Sequence, residues 1–374
     1  MAKPRVLLLS AYDGPSHRYW REQLVQQLAE FDWTVLTLPP RHFSWRIRGN
    51  ALSLAYSQQA LLQQPFDRVV VTSMVDIATL RGLVPSLARV PTLWYCHENQ
   101  FAYPQTEHAH ASIEPQMVLM YGALACERLA FNSAYNRDTF LQGVDALLRK
   151  MPDAVPAGIV EMLREKSEVV PVPLQEAAFH QRVARKTADD PLWVVWNHRW
   201  EHDKGPERLL ALVQKLAREA SDVSIIWSIV GPQFRRRPPE FAVLEACIGN
   251  QPRWQLKNFG FCDENEYREL LRGADIVLST ARHDFQGLAV LEAAAAGCTP
   301  CVPDRLAYRE FIDEGFRYDS GDDIEAEASA AANILLQWAE LRRRGQALPQ
   351  CNVDCLMWMQ LAAAYRHMLP SPLR

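Results

Sequence analysis

HDFQGLAVLEAAAAGCTPCVPDRLAYR, residues 283–309, decides how the chain is read. A polar loop, His283–Gln286, runs into an Ala/Leu-rich helix predicted from about Gly287 to Ala296, then a glycine stop and a short strand ending at Val302. Upstream, Ala274–Thr280 has the composition of a buried strand. Its carboxyl end feeds the polar loop, which is where open α/β sheets bind ligands. Gly287 lets a ligand approach the backbone, and the free N–H groups of the helix start suit an anion such as a diphosphate. Seven residues separate Asp284 from Glu292. Asp284 fits either a helix cap or a ligand contact. Glu292 lies among Leu288, Leu291 and Ala293–Ala296 on a largely buried helix, where a carboxylate can accept from two vicinal hydroxyls.

Working outward, the same strand-loop-helix grammar recurs. Leu192–Trp196 reads as a strand, Asn197–Gly205 as its exit loop and about Pro206–Ala220 as a helix. Arg199 and Lys204, five apart in that loop and just before a helix start, offer two cations to an anionic group, or are a solvated pair. Near the start, Arg5–Ser10 is a strand, and its exit loop holds Gly14, Ser16 and His17 before a helix over Arg18–Glu30. Gly14 and Ser16 offer donors to a ligand, or form only a turn and a cap. The absence of G-x-G-x-x-G argues against a nicotinamide or flavin dinucleotide.

Thr34–Leu38 is the next strand, and Pro39–Gly49 reads as a loop interleaving Arg41, Arg46 and Arg48 with Phe43 and Trp45. That mixture suits phosphate contacts plus stacking on a base, or equally aromatics packed on the core beneath wet arginines. Helix (Asn50–Gln63), strand (Asp67–Thr72), helix (Met74–Leu87) and strand (Thr92–Cys96) follow. The last strand ends in His97-Glu98-Asn99-Gln100, a loop dense in hydrogen-bonding groups. This alternation predicts doubly wound α/β domains.

At 374 residues the chain suits two domains, and 48% hydrophobic with 22% charged residues is a soluble globular composition. No apolar run approaches a membrane span, and Val6–Leu9 is too short for a signal peptide, so a cytoplasmic protein is expected. The eight cysteines lie mostly in apolar segments; the pairs Cys298/Cys301 and Cys351/Cys355 lack a histidine-rich partner set, so no metal is predicted. A net charge of −4 neither announces nor excludes a nucleic-acid partner. Arg235–Arg237 reads as a solvated run or as a polyanion contact.

Asp284-x7-Glu292, with Asp in the first position, resembles the E-x7-E motif of retaining glycosyltransferases of the GT-B fold, family 4 type. Longer strings are similar to tRNA-queuosine mannosyltransferases: Leu8–Arg18, Thr37–Arg41, His97–Pro104 and Phe131–Arg137. The resemblance implies two facing Rossmann-like domains with a cleft between them, mannose transferred from GDP-mannose to the cyclopentene diol of queuosine in tRNA(Asp), retention at the anomeric carbon, and no cofactor. It implies catalytic roles for His97, Arg199, Lys204 and Asp284. Donor binding falls to Gly14, Arg199, Lys204, Asp284, Gln286, Gly287, Leu288 and Glu292. Acceptor binding falls to Ser16, His17, Arg41, Arg46, Arg48, Glu98, Asn99 and Asn132. The expected organisation is an acceptor-side domain over 1–175, a proline-flanked charged linker over 176–190, a nucleotide-sugar domain over 191–350, and a 351–374 helix returning to the first domain. No membrane or obligate protein partner is expected. The competing readings are a lipid or polysaccharide glycosyltransferase, and a catalytically silent tRNA-binding protein.

Overall fold

The structure, a computed structural model, describes residues 2–103, 112–179, 187–220, 222–233 and 237–370. It divides into two units: residues up to Val172 with those from Leu361 onward, and Pro173–Gln360.

The first unit carries one parallel sheet of β1 (Arg5–Ser10), β2 (Asp32–Thr37), β3 (Arg68–Thr72), β4 (Thr92–Cys96), β5 (Arg128–Phe131) and β6 (Ser167–Val169), in the order β2-β1-β3-β4-β5-β6. Its central strands are continuous apolar runs, and Val6–Leu9 and Val69–Val71 are fully buried, as a sheet covered on both faces requires. The helices are α1 (Pro15–Gln27), α2 (Phe43–Ser57), α3 (Gln59–Leu62), α4 (Ile77–Leu83), α5 (Glu114–Leu124), α6 (Ala134–Leu148) and α7 (Ile159–Glu165).

Two of them differ from expectation. Helix α2 starts at Phe43, inside the stretch read as a loop, because Ile47, Ala51, Leu54 and Ala55 repeat at helical spacing and are all buried. Helix α4 is shorter than Met74–Leu87: Asp76 caps its start by accepting from the Thr79 N–H (3.2 Å), and Pro85 follows its end.

The second unit's strands are β7 (Leu192–Asn197), β8 (Ile225–Val230), β9 (Trp254–Gly260), β10 (Ile276–Leu278), β11 (Thr299–Pro303) and β12 (Arg317–Tyr318). They are parallel in the order β12-β11-β10-β7-β8-β9, which reverses direction between β7 and β10. Around them lie α8 (Pro206–Glu219), α9 (Glu240–Gly249), α10 (Glu264–Gly273), α11 (Leu288–Ala295), α12 (Tyr308–Phe311) and α13 (Ile324–Arg343). The final helix, α14 (Trp358–Met368), begins in this unit and ends in the first.

The division falls at Val172/Pro173 rather than across residues 176–190. Phe179 packs on the second core, and residues 180–186 of the expected linker lie outside the described residues. The returning segment also starts later than residue 351. The Leu174 N–H donates to the Leu356 carbonyl (2.8 Å), which keeps that stretch with the second unit. From Leu361 onward the chain joins the first: the buried Tyr365 hydroxyl accepts from Trp20 Nε1 (3.0 Å) and donates to the Pro171 carbonyl (3.0 Å).

A buried charge cluster ties α13 into the second unit. Glu327, 3% exposed, accepts from Arg208 (2.7 Å), from both terminal nitrogens of Arg305 (2.8 and 2.6 Å) and from the Gly321 N–H (3.2 Å). Removing one partner strands two guanidinium groups. Glu327→Ala should therefore cost about 3–5 kcal/mol of unfolding free energy in urea titrations, with Glu327→Gln losing less; an unchanged midpoint for the alanine variant would contradict this.

Candidate active site

The reversal between β7 and β10 places two loops side by side at the carboxyl ends of the strands, the usual ligand position of a doubly wound sheet. The first loop leaves β7 through His198–Lys204 and turns at Gly205, whose φ of +64° favours glycine. A Cβ at Gly205 would also run into the Thr280 carbonyl of the second loop. Thr280 fastens the pair: its hydroxyl donates to the Lys204 carbonyl (2.9 Å) and accepts from Trp196 Nε1 (2.9 Å).

Lys204, 7% exposed, reaches across and donates from Nζ to the His283 carbonyl (2.7 Å). Its ammonium lies 3.3 Å from Asp203 and 3.5 Å from Asp284. One Asp284 oxygen accepts from the Gly287 N–H (3.1 Å), and the other accepts from the Tyr308 hydroxyl (3.2 Å). The Asp284 carboxyl is thus both a cap of its loop and a partner of Lys204. Burial would raise its pKa, but Lys204, then His198 and His283, and the Tyr308 hydrogen bond outweigh that and hold it below the usual range. Gly287 has φ +80°, and a Cβ on it would sit 2.6 Å from the Tyr308 ring, so the close approach read from the sequence is taken up first by that ring.

Helix α11 makes its first backbone bond from the Leu291 N–H to the Gly287 carbonyl, so the N–H groups of Leu288, Ala289 and Val290 are the ones its start leaves without a helical partner. The Gly287 N–H is already committed to Asp284. Gln286 is buried and Leu288 half-buried beside it. Glu292, one turn beyond Leu288, is half-buried and lines a cavity of about 160 Å³ with Tyr267 of α10 and Gln175, Ala177 and Ala178. Burial pushes its carboxyl up to about 7.

Arg199 departs from the expectation of two cations free to meet a diphosphate. It is half-exposed and paired with Glu201 (2.8 Å) and Asp203 (3.4 Å), so an incoming anion competes with these carboxylates for it. His198 and Asp203 were not singled out in the sequence, although each directly precedes a residue that was. His198 is buried, and burial and then Lys204 hold it at about 4, so it is neutral at physiological pH. Tyr308 was likewise missed; its signal was its place just past the end of β11.

In the first unit, His97 stands one residue past β4 and is buried among His17 (ring centroids 4.3 Å apart), Tyr95 (4.8 Å) and Trp20 (4.9 Å). Neither His97 Nε2 nor His17 Nε2 has a hydrogen-bond partner among the described residues. Burial, then the neighbouring His17, holds His97 well below its ordinary value. Glu98 is half-buried, with no carboxylate hydrogen bond among the described residues.

The structure places the other first-unit candidates as follows. Asn99 is fully buried, donating to Asn136 Oδ1 (2.8 Å) and Thr139 (3.0 Å) and accepting from the N–H groups of Phe101 and Ala102 (3.0 Å each). Asn132 donates to the His97 carbonyl (2.9 Å) and accepts from Asn136 (2.7 Å). Both asparagines shape the His97 loop, with little left for a ligand. Arg48 is held by Asp76 (2.8 Å) and Glu114 (3.2 Å). The Gly14 N–H bonds the Tyr12 carbonyl (2.9 Å), and its φ of −69° requires no glycine. Ser16 and Arg41 are exposed, and Arg46 is buried. Arg235 and Arg236 lie outside the described residues; Arg237 stacks over Trp200, 4.6 Å from its ring centroid, rather than standing free.

The family model described as tRNA-queuosine alpha-mannosyltransferase N-terminal matches residues 5–174, and that described as glycosyl transferases group 1 matches residues 179–347. A tRNA-queuosine alpha-mannosyltransferase of Drosophila melanogaster is 32% identical over 330 residues, covering 86% of this chain and 85% of its own. Among solved structures, the sucrose-phosphate synthase of Thermosynechococcus elongatus superposes with a TM-score of 0.69 at 15% identity over 98% of each chain. Anabaena HepE in complex with UDP and glucose gives 0.61 at 17% identity, over 97% of this chain and 100% of that one. At these identities the solved structures speak to the fold alone: two Rossmann-like domains of the GT-B type.

The Glu292 carboxyl yields a pH prediction. Its folded pKa of about 7 lies above its ordinary 4.5, so its contribution to stability is present below 4.5 and is lost as pH rises through about 7. Between pH 5 and 8 the native protein should lose thermal stability relative to Glu292→Gln; parallel pH profiles for the two would contradict the assignment.

Proposed function

We propose, from a chain that belongs to the tRNA-queuosine alpha-mannosyltransferase family, that this glycosyltransferase moves mannose from GDP-mannose to a hydroxyl of the cyclopentene diol of queuosine in tRNA(Asp), with retention of anomeric configuration. The observation that carries the donor half of this reading is the Lys204–Asp284 pair locked between two strand-end loops, directly before the start of α11. A diphosphate there meets the buried ammonium and the unpaired N–H groups of Leu288, Ala289 and Val290, which stabilise charge as the sugar–phosphate bond breaks. Arg199 joins by exchanging its carboxylate partners for the phosphate.

Glu292, on the same face of α11 and facing its own cavity, takes the two ribose hydroxyls. That contact suits the ionised carboxylate, so donor binding draws the Glu292 proton off. Asp284, one methylene shorter than the glutamate usual at its position, is tied to the Gly287 N–H and Tyr308, and so orients the sugar from a fixed place. His97, neutral and with Nε2 unpartnered among the described residues, offers a hydrogen-bonding group on the acceptor side, where Glu98, Ser16 and Arg41 are further polar groups. No helix among the described residues is long and apolar enough to cross a membrane, which favours the tRNA reading over a lipid acceptor; we place the enzyme in the cytoplasm with its tRNA.

The test is mass spectrometry of nucleosides from queuosine-containing tRNA(Asp) incubated with the purified protein and GDP-mannose, with UDP-sugars in parallel. A hexose on queuosine with GDP-mannose alone is expected. Hydrolysis of a nucleotide-sugar without tRNA modification would move a polysaccharide or lipid acceptor to first place. In the same assay Lys204→Ala should lower kcat by 100-fold or more, on the order of 3 kcal/mol, and Arg199→Ala by less. Equal losses for the two would contradict the unequal roles.

A further inference from the structure

The helix α2 presents a feature that neither fold nor donor chemistry explains. Trp45 is a large aromatic on its first turn, yet it is 56% exposed. Its indole lies along the helix over Gly49, one turn on, so closely that a Cβ at Gly49 would stand only 2.5 Å from ring atom Cζ2, well inside van der Waals contact. One ring face is therefore pressed on backbone and the other is open to solvent. A side chain held this way has little rotamer freedom left to lose when something stacks on it.

Two of the three arginines near it in sequence are unmatched among the described residues. Arg46, next in sequence, is 9% exposed, its Nε is buried without a partner, and its guanidinium makes no hydrogen bond or ion pair among the described residues. A buried arginine stem with no carboxylate is costly unless a ligand supplies the counter-charge. Arg41, two residues ahead of α2, is exposed and likewise unpaired among the described residues. Arg48 differs: its bonds to Asp76 and Glu114 tie α2 to the start of α4 and to α5, fixing the face on which Trp45 lies. This stretch combines a rigid flat ring with an exposed and a largely buried arginine, neither with an internal partner among the described residues, which is the chemistry that takes an unpaired nucleotide, base on ring and phosphate on guanidinium.

Resting on the reading of tRNA as acceptor, we propose that Trp45, seated on Gly49, is the stacking platform for an unpaired nucleotide adjoining the modified one, with Arg46 and Arg41 on its phosphates. An enzyme that reaches the side group of a loop nucleoside draws it out of its stack, and the neighbour left uncovered needs a new π-face. Trp45 supplies that face, and Gly49 is the residue that lets it lie flat.

The experiment measures tRNA(Asp) affinity of the full chain by fluorescence anisotropy, with GDP affinity as a control on the other unit. Trp45→Ala should weaken tRNA binding roughly tenfold with GDP binding unchanged, and Trp45→Phe should recover most of the loss. Gly49→Ala should mimic Trp45→Ala without a lower melting temperature, since alanine favours the helix while its methyl lifts the indole. Arg46→Gln should flatten the dependence of log Kd on log salt, which Trp45→Ala should leave unaltered. If Trp45→Ala binds tRNA as tightly as the native protein, the platform is overturned while the acceptor reading stands. If the native protein itself fails to bind tRNA, the acceptor reading falls and the platform with it.

Discussion

The hydrogen bond from Lys204 Nζ to the His283 carbonyl, together with that from the Thr280 hydroxyl to the Lys204 carbonyl, joins the two loops on which the proposed donor chemistry depends. The loops leave β7 and β10, neighbours in space although about eighty residues apart in sequence. Locked by Lys204 and by Thr280, they hold an ammonium, two carboxylates and a helix start in one fixed arrangement before any substrate arrives. Such preorganisation avoids reorienting dipoles during the reaction. It also explains why a lysine is tolerated with 7% exposure: its charge is balanced by Asp203 and Asp284, and its ammonium donates a hydrogen bond to the His283 carbonyl.

The two units use polar residues differently. In the second, charged groups face one another around the strand ends and remain exchangeable with an anionic ligand. In the first, Asn99, Asn132 and Asn136 form a closed amide network whose products are the position of His97 and the path of its loop. Their hydrogen bonds are largely consumed internally, whereas the free Nε2 atoms of His97 and His17 are not. Within the unit, functional capacity therefore concentrates in groups that the local structure leaves incomplete.

The sequence was most legible where one physical signal dominated. Runs such as Val69–Val71 and Leu192–Trp196 marked the central strands because both faces of a parallel sheet are buried, and the strand ends then singled out the loops of Lys204, Asp284 and His97, whose roles came only with the family resemblance. It failed where a residue's partner lies far along the chain. Nothing local distinguishes Asn99, an internal strut, from a ligand contact, or shows that Arg48 would find Asp76 and Glu114. The Pro39–Gly49 stretch was misread because its arginines and aromatics masked the apolar spacing that begins at Ile47 and runs on through Leu54. His198 and Tyr308 acquire significance only from neighbours contributed by other strands.

The returning helix α14 bears on how the protein is made. The second unit is one uninterrupted stretch of chain and is whole once Gln360 has been synthesised. The first unit, begun earlier, still lacks Tyr365, the acceptor for the Trp20 indole and a neighbour of the Tyr95 hydroxyl. During synthesis the N-terminal unit thus carries an uncovered aromatic seam until Tyr365 has emerged, although domains ordinarily fold in order of emergence. The unit made first is thus completed only after the second has been made, so its final packing reports that translation has passed through the second unit.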